Sequence, residues 1–328
     1  MTAEPGDSAD SADSSKSAES AESAESANAT SELLITYRYL RLGMVGAVAL
    51  LAVSLVYEWA QAGCLQSSIS AYYYTPVRSV LVGGLMAIGL CLIAIKGHGE
   101  WEDIWLNLAG MFAPVVALVP TAGSGDCQWI ETTPPMTNGS LPAWVVANIK
   151  NNVLALLVVG AVALFLIHLV DKRQTSPDPG KTRRLKWSLL LAEAVLIGAW
   201  LLYLNWGEVK TGSHFVAAFL MFVCFFFVVS INAWCRPELE AFYMKWYRSI
   251  FFLMPAVAVG IGVYALLHAL DVVGEWDEAV YWLEAAEIAL FTTFWLVQTK
   301  QRWTDEETGG TSAASSTQPM GARPIARS

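Results

Sequence analysis

The sequence predicts an all-α membrane protein, a polytopic helical bundle of about eight spans with both termini on the cytoplasmic side. Three observations carry that prediction. Only 15% of the 328 residues are charged while 55% are hydrophobic, whereas soluble domains carry roughly a quarter of charged residues. The apolar residues gather in eight blocks near the ~18 residues that a helix needs to cross ~30 Å of hydrocarbon. Lysines and arginines fall almost entirely into alternate connections between the blocks.

The elements follow in order. Residues 1–36 open with "SADSADSSKSAESAESAESANATSE", a Ser/Ala/acid repeat with almost nothing large and apolar to bury, so a disordered cytoplasmic tail is expected. It is not read as a secretory signal, since acidic and small residues precede the first apolar run. Residues 1–30 hold seven acids against Lys16 and account for most of the net charge of -9. A transmembrane domain is expected over 37–300, with spans near 39–58, 77–96, 103–121, 149–170, 187–205, 214–234, 249–270 and 279–298. The blocks are too long and continuous for barrel strands, whose lipid and lumen faces alternate. Small residues, Gly83 and Gly84 in the second span and Ala256 with Gly260 in the seventh, are the expected helix contacts. Pro114 and Pro255 each remove a backbone donor within a span, where bends are expected. Residues 301–328 read as a second disordered cytoplasmic tail.

Cytoplasmic connections retain positive charge, which sets the orientation. With the N-terminus inside, 17 Lys and Arg side chains fall inside and only Arg78, Lys150 and Lys210 outside. One span more or fewer would exchange every later connection and erase that asymmetry. The loop "DKRQTSPDPGKTRRLKW" supplies six of the inner charges, each adding ~1 kcal/mol of attraction to an anionic leaflet. Trp59, Trp101, Trp144, Trp187, Trp206, Trp234, Trp276 and Trp303 lie near span ends, where an amphipathic ring suits the headgroup layer. No basic stripe interleaved with aromatics suggests nucleic-acid binding.

Residues 67–78, "SSISAYYYTPVR", sit at the mouth of the second span. Thr75 followed by Pro76 has the chemistry of a helix start, and Tyr72, Tyr73 and Tyr74 suit an aromatic anchor at the outer interface. Arg78 lies just below that surface, where a guanidinium is costly unless paired. Glu58, His214, His268 and Asp271 fall on the same side. With Ser70, Tyr74 and Arg78 they form the expected ligand-binding set of an outward-facing polar pocket. The segments "SISAYYYTPVR", "LVGGLMAIGL", "NLAGMFAPVVALVPT" and "HFVAAFLMF" resemble a group of uncharacterised bacterial multi-pass membrane proteins. That resemblance covers about a third of the chain and implies no activity, but it draws attention to Ser70, Tyr74, Arg78, Asn107 and His214.

Three acids fall within spans. Glu284 and Glu287 are one helical turn apart, ~10 to 15 Å below the outer boundary, and Glu193 is ~10 Å above the inner one. Such acids mark a proton or cation path, a buried pair or a solvated cavity. The first and second halves of the chain show no repeat of the kind many carriers use. The four histidines form no HExxH, and GxSxG and CxxC are absent too. A membrane hydrolase would have to assemble Ser70, His214, His268 and Asp271 in space. Cys64 and Cys127 fall in outer loops facing an oxidising compartment and are the expected disulfide, while Cys91, Cys224 and Cys235 are expected to stay free. No cofactor is expected, a metal is left undetermined, and oligomeric state is not readable. The preferred reading is a non-catalytic protein of the bacterial cytoplasmic membrane, partnered by the bilayer and binding or transporting a small or lipid ligand. The alternatives are the hydrolase, acting on a lipid or envelope substrate, and an envelope scaffold.

Overall fold

The computed structural model describes the backbone of residues 9–97, 99–121, 143–171, 179–205, 212–236 and 238–316, with side chains over 32–97, 99–121, 145–170, 186–205, 212–236 and 238–303. Among the described residues all regular structure is helical. The eight α-helices are α1 (Ala9–Ala62), α2 (Arg78–Ala94), α3 (Glu100–Leu118), α4 (Ala143–Asp171), α5 (Pro179–Leu204), α6 (Gly212–Trp234), α7 (Ala241–Ala269) and α8 (Ala279–Ser316). A short 3-10 turn, Ser70–Tyr74, precedes α2. Six helices are long and apolar enough to cross a membrane. The other two fall short for identifiable reasons: α2 has only 17 residues, and α3 begins with Glu100, Glu102 and Asp103.

Two helices outrun their expected bounds. Helical backbone extends from the first span back to Ala9, and from the last forward to Ser316. Alanine and glutamate in the N-terminal repeat are good helix formers and simply continue the turn already nucleated in α1.

Helix pairing closes a cycle, α1 on α2, α2 on α3, α3 on α6, α6 on α7, α7 on α8 and α8 on α1, while α4 and α5 pair with each other and reach the cycle through α3. The interior is filled in two tiers. One holds Met44, Leu92, Val228, Tyr247, Phe294 and Trp295, and the other, toward the 3-10 turn, holds Leu51, Tyr72, Tyr73, Val77, Val119 and Ile149. Large apolar side chains such as Val53, Phe165, Leu201 and Val259 point outward, which suits contact with lipid tails. Trp59, Trp101, Trp187, Trp234, Trp276 and Trp303 are exposed, Trp187 and Trp303 at the ends of apolar spans inside longer helices and the others close to helix ends, whereas Trp144 and Trp206 lie outside the residues with described side chains.

The close helix contact lies elsewhere than the small residues suggested. Gly83 and Gly260 have open space where a Cβ would sit, and Gly84 only grazes the Ala47 carbonyl. Instead α2 and α3 cross at Gly89 and Gly110, where a Cβ on either would come within 2.8 or 2.6 Å of the other's carbonyl oxygen. Pro114 and Pro255 both sit inside unbroken helices.

At the end of the cycle away from the 3-10 turn, buried polar contacts tie α1 and α7 to α8, and α3 to α6. Arg41 Nε donates to Gln298 Oε1 at 3.1 Å, and Tyr247 donates its hydroxyl hydrogen to Gln301 Oε1 at 2.8 Å. Asn232 Nδ2 donates to Glu102 Oε1 at 2.8 Å while its Oδ1 accepts from Arg236 Nη1 at 3.2 Å. Arg38 and Arg248 lie over the rings of Trp303 and Trp234, so several charges that sequence reading assigned only to orientation also hold helices together.

Candidate functional site

The segment after α1 forms a folded shelf. Gly63 adopts φ +74 and its amide donates back to Trp59, ending the helix with the left-handed residue that glycine takes without strain. Ser68 Oγ accepts the Ala71 amide at 3.0 Å and starts the 3-10 turn. The three tyrosines then diverge. Tyr72 is fully buried and its hydroxyl accepts the Gln66 amide. Tyr73 accepts a 2.8 Å hydrogen bond from Arg78 Nη2, and the guanidinium also lies 4.3 Å from its ring centre. Tyr74 donates its hydroxyl hydrogen to the Thr121 carbonyl at 2.7 Å, and burial pushes its ionisation well above that of a free phenol. Thr75 Oγ1 accepts the Val77 amide and donates to the Tyr72 carbonyl, so the expected cap operates as a turn that hands the chain into α2.

The shelf is bolted to α8 by an acid. Glu284 Oε2 accepts the Ile69 amide at 2.6 Å, and the Tyr281 amide donates to the Ser67 carbonyl. Ser70 Oγ in turn accepts the Thr121 amide at 3.4 Å. His214, 1% exposed, sets Nδ1 2.6 Å from the Val119 carbonyl. A nitrogen that close to a carbonyl oxygen carries the hydrogen, so this imidazole holds the exit of α3.

Below the shelf, α6, α7 and α8 enclose a cavity of about 400 Å³. Its α6 wall is a stripe of Phe215, Phe219, Phe222 and Phe226, its α7 wall includes Met254 and Pro255, and its polar groups are His214, Glu284 and Glu287. Phe215 and Phe219 are exposed on the outside of the bundle, which opens the cavity sideways. Glu287 is buried, and its Oε2 has no hydrogen-bond partner among the described residues. Carboxylate oxygens of that kind are rare because an unmade hydrogen bond at a buried charge is costly.

The predicted ligand-binding residues are thus divided among separate places. Ser70, Tyr74 and Arg78 build the shelf, and Glu58 is buried on α1. His214 reaches the cavity. His268 is exposed, stacked on Tyr264, with Nδ1 3.3 Å from the Val273 carbonyl, and Asp271 occupies the adjoining turn with φ 56. Among the described residues no side-chain hydrogen bond joins Ser70, His214, His268 and Asp271 to one another. Of the three acids, Glu284 and Glu287 share the cavity, whereas Glu193 pairs with His168 Nε2 at 3.2 Å between α5 and α4. Asn107 donates to Ser188 Oγ at 3.1 Å and ties α3 to α5. Cys64 is disulfide-bonded, and Cys91, Cys224 and Cys235 are free; Cys127, its expected partner, lies outside the described residues. Among those residues no group of three or more His, Cys, Asp or Glu is placed to hold a metal ion.

Sequence reading missed the phenylalanine stripe as a cavity wall, although the spacing of 215, 219, 222 and 226 puts all four on one helical face. Comparison with protein-family models, curated proteins and solved structures finds no match. The cavity and the shelf therefore carry the functional argument.

Proposed function

We propose that this chain is an integral protein of a bacterial cytoplasmic membrane that crosses it eight times, with both termini in the cytoplasm, and binds or transports a small amphipathic or lipid ligand in the α6–α8 cavity. The observation that carries this is the cavity itself, walled by aromatic rings and holding two carboxylates at the shelf end. Apolar concavities of ~300–1,000 Å³ with a few convergent polar groups are the usual form of a ligand site. The crossing number is supported by α2 and α3: both lie inside the helix cycle, and 17 residues of α2 rise ~26 Å. The acids opening α3 stand at a helix N-terminus, where negative charge is favoured.

Native mass spectrometry of the purified protein tests the binding. The unmodified chain is expected to retain a membrane-derived small molecule that Ala258→Trp, which fills the cavity, no longer holds. If both proteins are equally empty or equally loaded, the site is misplaced. A protease site inserted in the 172–186 connection is expected to resist cleavage from outside intact cells, and cleavage there would overturn the threading. A carrier is the second reading, favoured by the buried Glu287 oxygen in the cavity, because intramembrane acids commonly couple ion movement to a substrate. Glu287→Gln would then abolish ion-coupled uptake in vesicles, whereas in a pure binding protein it would alter affinity alone.

A further inference from the structure

We propose that the occupant of the α6–α8 cavity is a hydrophobic cation, an amphiphile whose positive head is received by Glu287 and Glu284 and whose apolar body lies along the phenylalanine stripe. The inference rests on the reading that this cavity binds a ligand, and it adds the chemistry of that ligand.

Four features agree. Among the described residues two glutamates and no lysine or arginine line the cavity, so the groups they offer a ligand are acceptors suited to a positive head. Glu284 accepts the Ile69 amide at 2.6 Å, so its carboxyl group is held in place at the shelf end of the cavity. Glu287 brings a buried oxygen with no partner, one turn further into the same cavity, where a donor or a positive charge would complete it. The hydrogen on His214 Nδ1 is directed at Val119, so it does not neutralise the acids.

The walls add to this preference. Aromatic faces attract cations by ~0.5–1 kcal/mol when exposed and by ~2 or more when desolvated, and Phe215, Phe219, Phe222 and Phe226 all line this cavity. An anion would find no cationic side chain among the described lining residues. A neutral lipid whose head carries no hydrogen-bond donor would bury the Glu287 oxygen without completing it. The exposed Phe215 and Phe219 give a cation dissolved in the bilayer a sideways route to the acids.

The test uses the full-length protein in detergent and two probes of similar shape, the permanent cation tetraphenylphosphonium and the uncharged triphenylphosphine oxide. Equilibrium binding is measured for the unmodified chain and for Glu287→Gln, Glu284→Gln and Ala258→Trp, each checked by circular dichroism and gel filtration. Ala218→Trp stands in if Ala258→Trp fails to fold. The expected result is that the cation binds at least tenfold more tightly than the oxide, that Glu287→Gln removes most of this preference, and that filling the cavity abolishes binding. If both probes bind equally and both are lost on filling, the cavity is a ligand site but the charge assignment is wrong. If neither probe binds, or filling leaves cation binding unchanged, the cavity reading fails with it.

Discussion

The crossing of α2 and α3 offers a sharp quantitative test, because one added methyl group at Gly110 acts in two opposite directions. Alanine has higher helix propensity than glycine by ~1 kcal/mol, which would stabilise the helix. Against this, its Cβ would lie 2.6 Å from the Gly89 carbonyl oxygen and 2.7 Å from Ile93 Cγ1, close to 1 Å inside a comfortable carbon contact of ~3.5–4.0 Å. The first obstacle is backbone, so the helices must separate, and overpacking of this kind costs ~1–3 kcal/mol. The expected balance for Gly110→Ala is a net loss of about 0–2 kcal/mol. Gly83→Ala supplies the control: nothing lies within 4 Å of its Cβ position, so only the propensity gain of up to ~1 kcal/mol remains. Gly89→Ala approaches the same crossing from the other side, so the double variant should cost less than the two singles added. Unfolding of the purified protein by SDS in mixed micelles, followed by circular dichroism, reads all four. Should Gly110→Ala prove as stable as Gly83→Ala, the crossing described here is wrong.

The remaining predictions concern the shelf and the buried polar contacts. Glu284→Ala removes the acceptor for the Ile69 amide, worth ~1–3 kcal/mol when left unmet. Hydrogen exchange across residues 66–75 should rise at least tenfold, with Glu284→Gln intermediate, and unchanged protection would refute the link. Asn232→Leu strips hydrogen bonds from Glu102 and Arg236 and should destabilise the protein by about 3 kcal/mol or more, measured in the same SDS titration. Tyr74→Phe loses one bond to the Thr121 carbonyl and is expected to cost about 1 kcal/mol. Non-reducing peptide mapping should recover Cys64 crosslinked, with Cys127 the expected partner, while Cys91, Cys224 and Cys235 alkylate after denaturation; a free Cys64 thiol would contradict the structure.

Part of the site was legible in single residues. Glu284 and Glu287 announce themselves because a carboxyl group in an apolar block is anomalous wherever the chain folds. The shelf announced itself through three tyrosines beside a Thr-Pro step. Partners were another matter. For Arg78 partners were sought on other helices, and a local one was overlooked: Tyr73, five residues earlier, supplies a hydroxyl and a ring face. Glu193 looked equivalent to Glu284 and Glu287, and only the packing of α4 on α5 placed His168 beside it.

The sequence by itself determined that the chain is helical and suited to a membrane. Backbone groups without water must bond within their own segment, so the length of an apolar block already specifies a helix. Tertiary structure alone decided which helices touch, that Gly89 meets Gly110 instead of Gly83 or Gly260 making the contact, and that His214, Glu284 and Glu287 share one cavity. The physical reason is that spans apolar on every side carry no stripe to say which face turns inward. Contacts such as Arg41 with Gln298, 257 residues apart, leave no periodic trace in the chain and arise only when the bundle closes.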